Sequence, residues 1–449
     1  MTSENTDPQC RAAKHKSMAN LSKIPKDWKK VRLGYSAWVR ARLGWKGLKA
    51  EEYVDDGFIF LSTPNIKGRK IDFSQVNYIS KERYDESPEI MLRVDDVVLA
   101  KDGSTLGTVN VVRTLPRPAT VNSSIAVLTP YQMLRGEFLY FWFQTADAIG
   151  QIQQAKGGMG VPHLFQDDLV RFVFPLPPLQ QQDEVIAFLN REIDRIDLLI
   201  EKQKRLIDFL TEKRQAVISH AITNGLDKAV LMKDSGMAWL GEVPSHWIIK
   251  RLKHVTSFVT SGSRGWAEYY SDDGSIFIRI TNLTRHGIDL DLSDIQYVQP
   301  PTSEADRSRV ETGDIVISIT ADLGSVACIP VLPARGFVSQ HVALVRPTLK
   351  TCSRWLAFAV KSGSSMEQLR QAAYGGTKIQ LSLSDICDLW LAVPPMTEQI
   401  AIQTFLDHET AKIDTLIAKA NQSIELMKER RSALISAAVT GKIDVREAA

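Results

Sequence analysis

The chain has 449 residues, 44 % of them hydrophobic and 24 % charged, with a formal net charge of +3. That length accommodates two or three domains with proper cores, and the composition is that of an ordinary globular protein rather than a disordered or fibrous one. No stretch approaches the ~20 consecutive apolar residues of a membrane span, and the four cysteines have neither metal spacing nor a disulfide framework, so a cytoplasmic setting away from membranes is expected.

Residues 1–20 are polar and carry Arg11, Lys14 and Lys16 without an apolar core. They read as a disordered tail, not as a signal peptide. A first globular segment, 21–176, opens on Pro25-Lys26-Asp27-Trp28. Between Lys26 and Lys49 there are eight Lys or Arg, and Asp27 is the only acid; such a run either steers a polyanion or is a solvated face. Residues 58–61 read as a strand, followed by Asn65 and Ile71-Asp72-Phe73. Asp95-Asp96 then leads into an apolar strand, 97–100, that ends in a turn at Gly107. A helix is expected over 137–155, then the pair Gly157-Gly158, then a strand over 169–176.

At Pro177-Pro178 the pattern changes. From Gln180 to Thr223 there is no Gly or Pro. Apolar residues follow a heptad seam through Ile186, Leu189, Ile193, Ile196, Ile200, Ile207 and Leu210, with Gln203, Arg214, Val217 and Ala221 on the same stripe. Alternating steps of three and four are the coiled-coil pattern. Residues 177–225 are therefore expected to be one long helix, and 226–243 a linker.

The second segment, 244–393, restates the first. Pro244-Ser245-His246-Trp247 opens it; a strand over 276–280 is followed by Asn282 and Ile288-Asp289-Leu290. Gly313-Asp314 leads into a strand, 315–318, with a turn at Gly324. A helix over 354–373, the pair Gly375-Gly376 and a strand over 386–393 complete the parallel. Pro394-Pro395 then starts a second long helix, 394–442, with its seam at Leu406, Ile413, Ile417, Ile424, Met427 and Leu434, before a short tail, 443–449. Pro177-Pro178, Gln182, Phe188-Leu189 and Ile196-Asp197 all recur 217 residues later, the mark of an internal repeat.

If the second segment is compact, the second helix starts near where the first one stops and runs back beside it. The fold class expected is α+β: two tandem α/β domains joined by two long helices in an antiparallel coiled coil, with a pseudo-twofold internal repeat. A helix of ~44 residues is about 66 Å long, near two turns of B-DNA.

No phosphate-binding loop, H-E-x-x-H motif or glycine-rich cofactor loop is present, and the eight histidines show no metal spacing. Asp96 and Asp314 sit at strand starts, where a carboxylate is a turn former before it is a catalytic acid. No catalytic residue, cofactor or metal is expected, and the chain reads as a binder.

The residues that carry a family resemblance are Trp239-Leu240-Gly241-Glu242-Val243-Pro244, the two Asp-strand-Gly motifs, Pro177-Pro178-Leu179-Gln180-Gln181-Gln182 and Pro394-Pro395-Met396-Thr397-Glu398-Gln399. The ending Lys428-Glu429-Arg430-Arg431 through Ala438-Val439-Thr440-Gly441-Lys442-Ile443 completes the set. In this order, and repeated, they resemble the specificity (S) subunit of type I restriction–modification systems over nearly the whole chain. The departures are Gln181 opposite Glu398 and Asn224 opposite Gly441. The resemblance implies two target recognition domains, each reading half of a split double-stranded DNA sequence across a gap set by the coiled coil. It also implies two methyltransferase (M) subunits that bind the helices and carry S-adenosylmethionine, and a restriction (R) subunit that can join.

Residues expected at DNA are polar and basic side chains of the loops that differ between copies. In the first domain they are Arg40, Arg42, Lys46, Lys67, Arg69, Lys70, Lys101 and Ser104; in the second, Ser263, Arg264, Arg285, His286, Thr320 and Asp322. The rival reading is a coiled-coil scaffold with two adhesive end domains and no DNA role. It differs by lacking salt-dependent duplex binding.

Overall fold

The computed structural model describes residues 24–42, 48–157, 162–300, 306–320, 322–373 and 380–446. The expected tail at 1–20, Lys46, Gly158 and the pair Gly375-Gly376 lie outside them. The chain divides into two compact units, one running to Lys202 and resuming at Ser423, the other spanning Gln203–Gln422.

Two sheets face each other in the first unit. One is antiparallel, in the order Ala37–Arg40, Ile125–Pro130, Val97–Ala100, Val109–Val111. The other runs Tyr53–Val54, Asn77–Ile79, Phe58–Leu61, Ala119–Val121, with its last pair parallel. Strand Val97–Ala100 is apolar at every position because both its faces are covered. Successive side chains point to opposite faces, so Val97 and Leu99 enter the core shared with the helices, and Val98 and Ala100 the core between the sheets.

The second unit repeats this plan. Its antiparallel sheet is Thr256–Ser261, Val342–Pro347, Ile315–Ser318, Val326–Cys328, and its other sheet gains a fifth short strand, Arg309–Val310. Ile315 and Ile317 face the helices, and Val316 faces the second sheet.

Several expected elements are cut differently. The helix expected over 137–155 is two helices, Gly136–Phe143 and Ala146–Ala155, because the Thr145 hydroxyl accepts from the amide of Ala148 and starts a new helix. The helix expected over 354–373 likewise splits into Ser353–Lys361 and Gly363–Ala372, with Ser362 accepting from Ser365. A hydroxyl at the N-cap satisfies an amide that the preceding helix cannot, which favours restarting over continuing. The strands expected over 169–176 and 386–393 are confined to Val173–Leu176 and Trp390–Val393; one-turn helices, Gln166–Leu169 and Leu383–Cys387, precede them. The segment expected as a linker holds a hairpin, Met232–Asp234 with Glu242–Pro244. The C-terminal segment is no free tail as far as it is described, since Ile443 and Val445 pack on the first unit's core.

The long helices are Leu179–Asn224 and Met396–Val439. In the first unit, Asp197 of one pairs with Arg431 of the other, and Leu189 and Ile193 share a core with Ile435, Ala438 and Val439. In the second unit Arg214 pairs with Asp414, and Ile218, Ala221 and Ile222 share a core with Ile402 and Leu406. Within each unit the two segments therefore run antiparallel. Leu189, Ile193, Ile196, Leu210, Leu406, Ile413 and Ile424 are buried, and Ile186, Ile200, Ile207, Ile417, Met427 and Leu434 half-buried. Near each globular domain the apolar stripe widens beyond a heptad: Val185 and Phe188, and Ile218 and Ile222, are buried as well. Both helices end on a left-handed glycine, Gly225 at φ +74° and Gly441 at φ +68°. Asn224 is still helical, so the departure opposite Gly441 means only that the first helix runs further before its glycine.

Candidate nucleic-acid interface

In each unit the central strand begins at a buried carboxylate. Asp96 closes the preceding turn by accepting from the Arg93 amide, and Asp314 does the same for Glu311. Arg40 meets Asp96 at 2.7 Å, and its guanidinium also donates to the carbonyls of Glu89 and Met91. Arg40 is 3 % exposed. It was expected at DNA, but its two terminal nitrogens are bonded inside the domain and the whole side chain is buried, so the structure removes it from the surface candidates. Burial pushes the Asp96 carboxyl up from its usual range, against the pull of Thr129 and Arg40. Both aspartates are thus turn formers and ion-pair partners, with no opening to a substrate.

At its far end the same strand delivers the chain to a loop that is half-buried in the first unit apart from the exposed Ser104. In the first unit this loop, 101–107, is held to the segment after the second short helix. Asp102 bridges His163, Leu164 donates to the Lys101 carbonyl, and Gly103 donates to that of Pro162. In the second unit Thr320 bridges Gln380, and Leu381 donates to the Ile319 carbonyl. A common backbone clamp therefore gathers two loops at one edge of each domain, and the side chains it presents differ.

In the first unit Lys101, Asp102, His163 and Phe165 are brought together. Lys101 pairs with Asp102 at 3.3 Å, Asp102 also contacts His163 Nδ1, and the ring of Phe165 lies edge-on to that of His163. Phe165 is exposed and Ser104 stands beside the group, also exposed. The sequence reading missed His163 and Phe165; the glycine pair Gly157-Gly158 shortly before them in the sequence, matched by Gly375-Gly376, was the available pointer. In the second unit the Thr320 hydroxyl is buried against His341 Nδ1 at 3.0 Å, whereas Asp322 meets the exposed Arg285 at 3.1 Å. Arg264 and His286 are exposed and Ser263 is half-buried.

The remaining candidates are dispersed. Lys67 and Lys70 are exposed, but Arg69 between them turns onto the first long helix and pairs with Asp194 and Asp197. Arg42 is half-buried. Among the described residues no group of three or more His, Cys, Asp or Glu is placed to hold a metal ion, and no helix is long and apolar enough to cross a membrane.

Two internally similar domains, each with a loop edge of its own composition, match a family description, the type I restriction modification DNA specificity domain, twice, over residues 25–207 and 245–426. The chain belongs to that family. Over 434 residues it is 21 % identical to the type I restriction enzyme MjaVIII specificity subunit of Methanocaldococcus jannaschii, covering 94 % of this chain and 95 % of that one. Over 440 residues it is 21 % identical to the EcoKI specificity subunit of Escherichia coli K12, covering 94 % and 91 %. Among solved structures, one from a study of assembly and conformational transition of the type I R-M system covers 94 % of this chain with a TM-score of 0.72 at 16 % identity. It is itself covered completely. The HsdS subunit from Thermoanaerobacter tengcongensis gives a TM-score of 0.53 at 16 % identity, over 94 % of this chain and 98 % of that one. The fold of two α/β domains with long helices is therefore a specificity-subunit fold, and the role of the chain is DNA-sequence specificity.

Proposed function

We propose that each unit reads one half of a split, asymmetric duplex sequence through its clamped loop edge, and that the paired long helices fix the gap between the half-sites. Methylation and cleavage belong to the partners of a type I complex. Two methyltransferase subunits dock on the helices, a restriction subunit joins them, and the complex works in the cytoplasm. The observation that carries this reading is the contrast within the repeat. The sheets, the caps and the backbone clamp recur, whereas one edge carries Lys101, Asp102 and His163 and the other carries Arg285 with its partner Asp322. Unlike edges on like scaffolds read unlike half-sites. Lys67, Lys70, Ser104, Ser263, Arg264 and His286 add sequence-independent phosphate contacts around them.

The test is to co-express the chain with its methyltransferase and map modified adenines across the genome. A bipartite motif is expected, and replacing residues 26–176 with the matching segment of another family member changes one half only. A change in both halves, or duplex binding indifferent to salt, rejects the reading, because phosphate contacts impose a steep salt dependence.

A further inference from the structure

We infer that Arg285 reads a guanine in the half-site of the second unit, and that Asp322 is its positioning residue rather than a DNA contact. This rests on the proposed reading of half-sites by the loop edges. Arg285 is 73 % exposed, and its closest approach to the Asp322 carboxylate is from Nε, at 3.1 Å to Oδ1. That geometry leaves the outer Nη1–Nη2 edge of the guanidinium for a second pair of acceptors. A guanine presents such a pair, O6 and N7, in the major groove, and the bidentate arginine contact to it is the commonest specific one.

The carboxylate is itself held. Its Oδ2 accepts from the Ser325 hydroxyl at 2.8 Å, the Ser325 amide donates to Ser318 Oγ at 3.1 Å, and the Ser318 hydroxyl donates to the Asp322 carbonyl. Ser318 ends the central strand Ile315–Ser318, so the chain of bonds fixes Arg285 to the most buried strand of its domain. The arginine loop is closed in its own turn, with the Gly287 amide donating to Thr284 Oγ1. A long exposed side chain ordinarily loses rotamer freedom on binding; here much of that ordering is done in the free protein.

The charge pattern separates base from phosphate as the target. A carboxylate beside the guanidinium weakens its attraction for a phosphodiester, yet does not interfere with two neutral acceptors on a base edge. An acid in a DNA-facing loop is otherwise repelled by the backbone, and the ion pair gives its presence a reason. The first unit lacks the device. Gly68 occupies the place of Arg285, counted from Asn65 and Asn282, and the acid in its loop, Asp102, serves Lys101 and His163 instead. A guanine reader confined to one unit suits an asymmetric site.

The experiment uses the complex of the full chain with its methyltransferase and the duplex found by mapping. Arg285→Ala is expected to weaken binding to that duplex about ten- to hundred-fold and to relax the motif at one guanine in the half-site assigned to the second unit. Replacing that guanine by 7-deazaguanine should weaken wild type and leave the variant unaffected. Asp322→Asn is expected to lower the preference for guanine while strengthening binding to unrelated DNA. An Asp322 that merely stood near the backbone would, on neutralisation, improve binding to every sequence without touching the preference. Uniform weakening by Arg285→Ala on all sequences, with a shallower salt dependence, makes Arg285 a phosphate contact and overturns the inference. So does an unchanged motif or relaxation at a base other than guanine. Failure of the half-site reading would show in the wild type, which would then modify no split sequence.

Discussion

In the first unit the buried Asp96 meets an arginine from strand Ala37–Arg40 and a hydroxyl, Thr129, from strand Ile125–Pro130. In the second, Asp314 meets an arginine from the other strand. Arg346 stands where the repeat places Thr129 and holds the carboxylate through both Nε and a terminal nitrogen at 2.8 Å. The site matching Arg40 by strand register is Thr260, so arginine and threonine have exchanged strands. The fold requires a cation beside the turn-forming acid but not a particular donor for it. Any single step of that exchange leaves a buried acid without its cation or crowds two arginines around it, so the two positions are coupled.

The comparison breaks most visibly at the acid. Asp96→Ala strands Arg40 inside the domain and should cost about 3–5 kcal/mol. Asp314→Ala should cost less, because Arg346 is 28 % exposed and has Glu311 at 3.1 Å to turn to. Amide exchange of residues 97–100 and 315–318 reads the two units separately; equal losses would mean that burial of the arginine does not set the penalty.

A second difference lies at the end of the first short helix in each unit, where Gln144 matches Lys361. Burial pushes the Lys361 ammonium down to about 8, with Arg214 adding to the fall and Asp322 opposing it. Because the unfolded lysine titrates near 10.4, at this site the unfolded chain binds more protons between those values, and Lys361 by itself makes stability rise with pH there. Its contribution should be on the order of a few kcal/mol between about pH 8 and 10.5, set against the opposite slope of the Cys328 thiol, which burial pushes up to about 11. Lys361→Gln should remove the lysine's share alone, so denaturant unfolding of both proteins across this range should show a difference in stability that grows with pH; a difference that stays constant sinks the prediction.

The smallest effects are expected at the glycines that end the long helices. A side chain in the left-handed region costs about 1–3 kcal/mol, and Gly441→Ala should exceed Gly225→Ala. The added Cβ would lie 2.4 Å from Pro25 Cδ in the first unit but 3.2 Å from the Trp247 ring in the second. Thermal melts that rank them the other way would show that Pro25 gives way freely.

What the sequence disclosed followed from short-range regularity. The heptad stripes, the glycine stops and the apolar strands after Asp96 and Asp314 are local patterns, and their repetition at one spacing made the two-domain plan legible. What stayed hidden were partnerships across long separations. Arg40 resembles any surface arginine until Asp96, 56 residues on, is seen to take it inward. Arg69 was read as one of three basic loop residues, yet its partners lie over 120 residues away on a helix. The helix breaks at Thr145 and Ser362 escaped because a hydroxyl inside an apolar run is tolerated as readily as it caps. His163 went unnoticed for want of any local periodicity around it.

The first unit draws its core from both ends of the chain. Trp28, Phe138 and Leu189 are sealed by Ile435, Ala438, Val439 and Val445, whereas residues 203–422 of the second unit are continuous. On the ribosome the order of completion is therefore the reverse of the order of emergence. The second unit can close while the first, made earlier, still waits for its last helix. A chain that stops short of residue 423 leaves its oldest domain open, with apolar surface that quality-control proteases and chaperones recognise. Translation to the far end of the second helix is thus what certifies the first unit as finished.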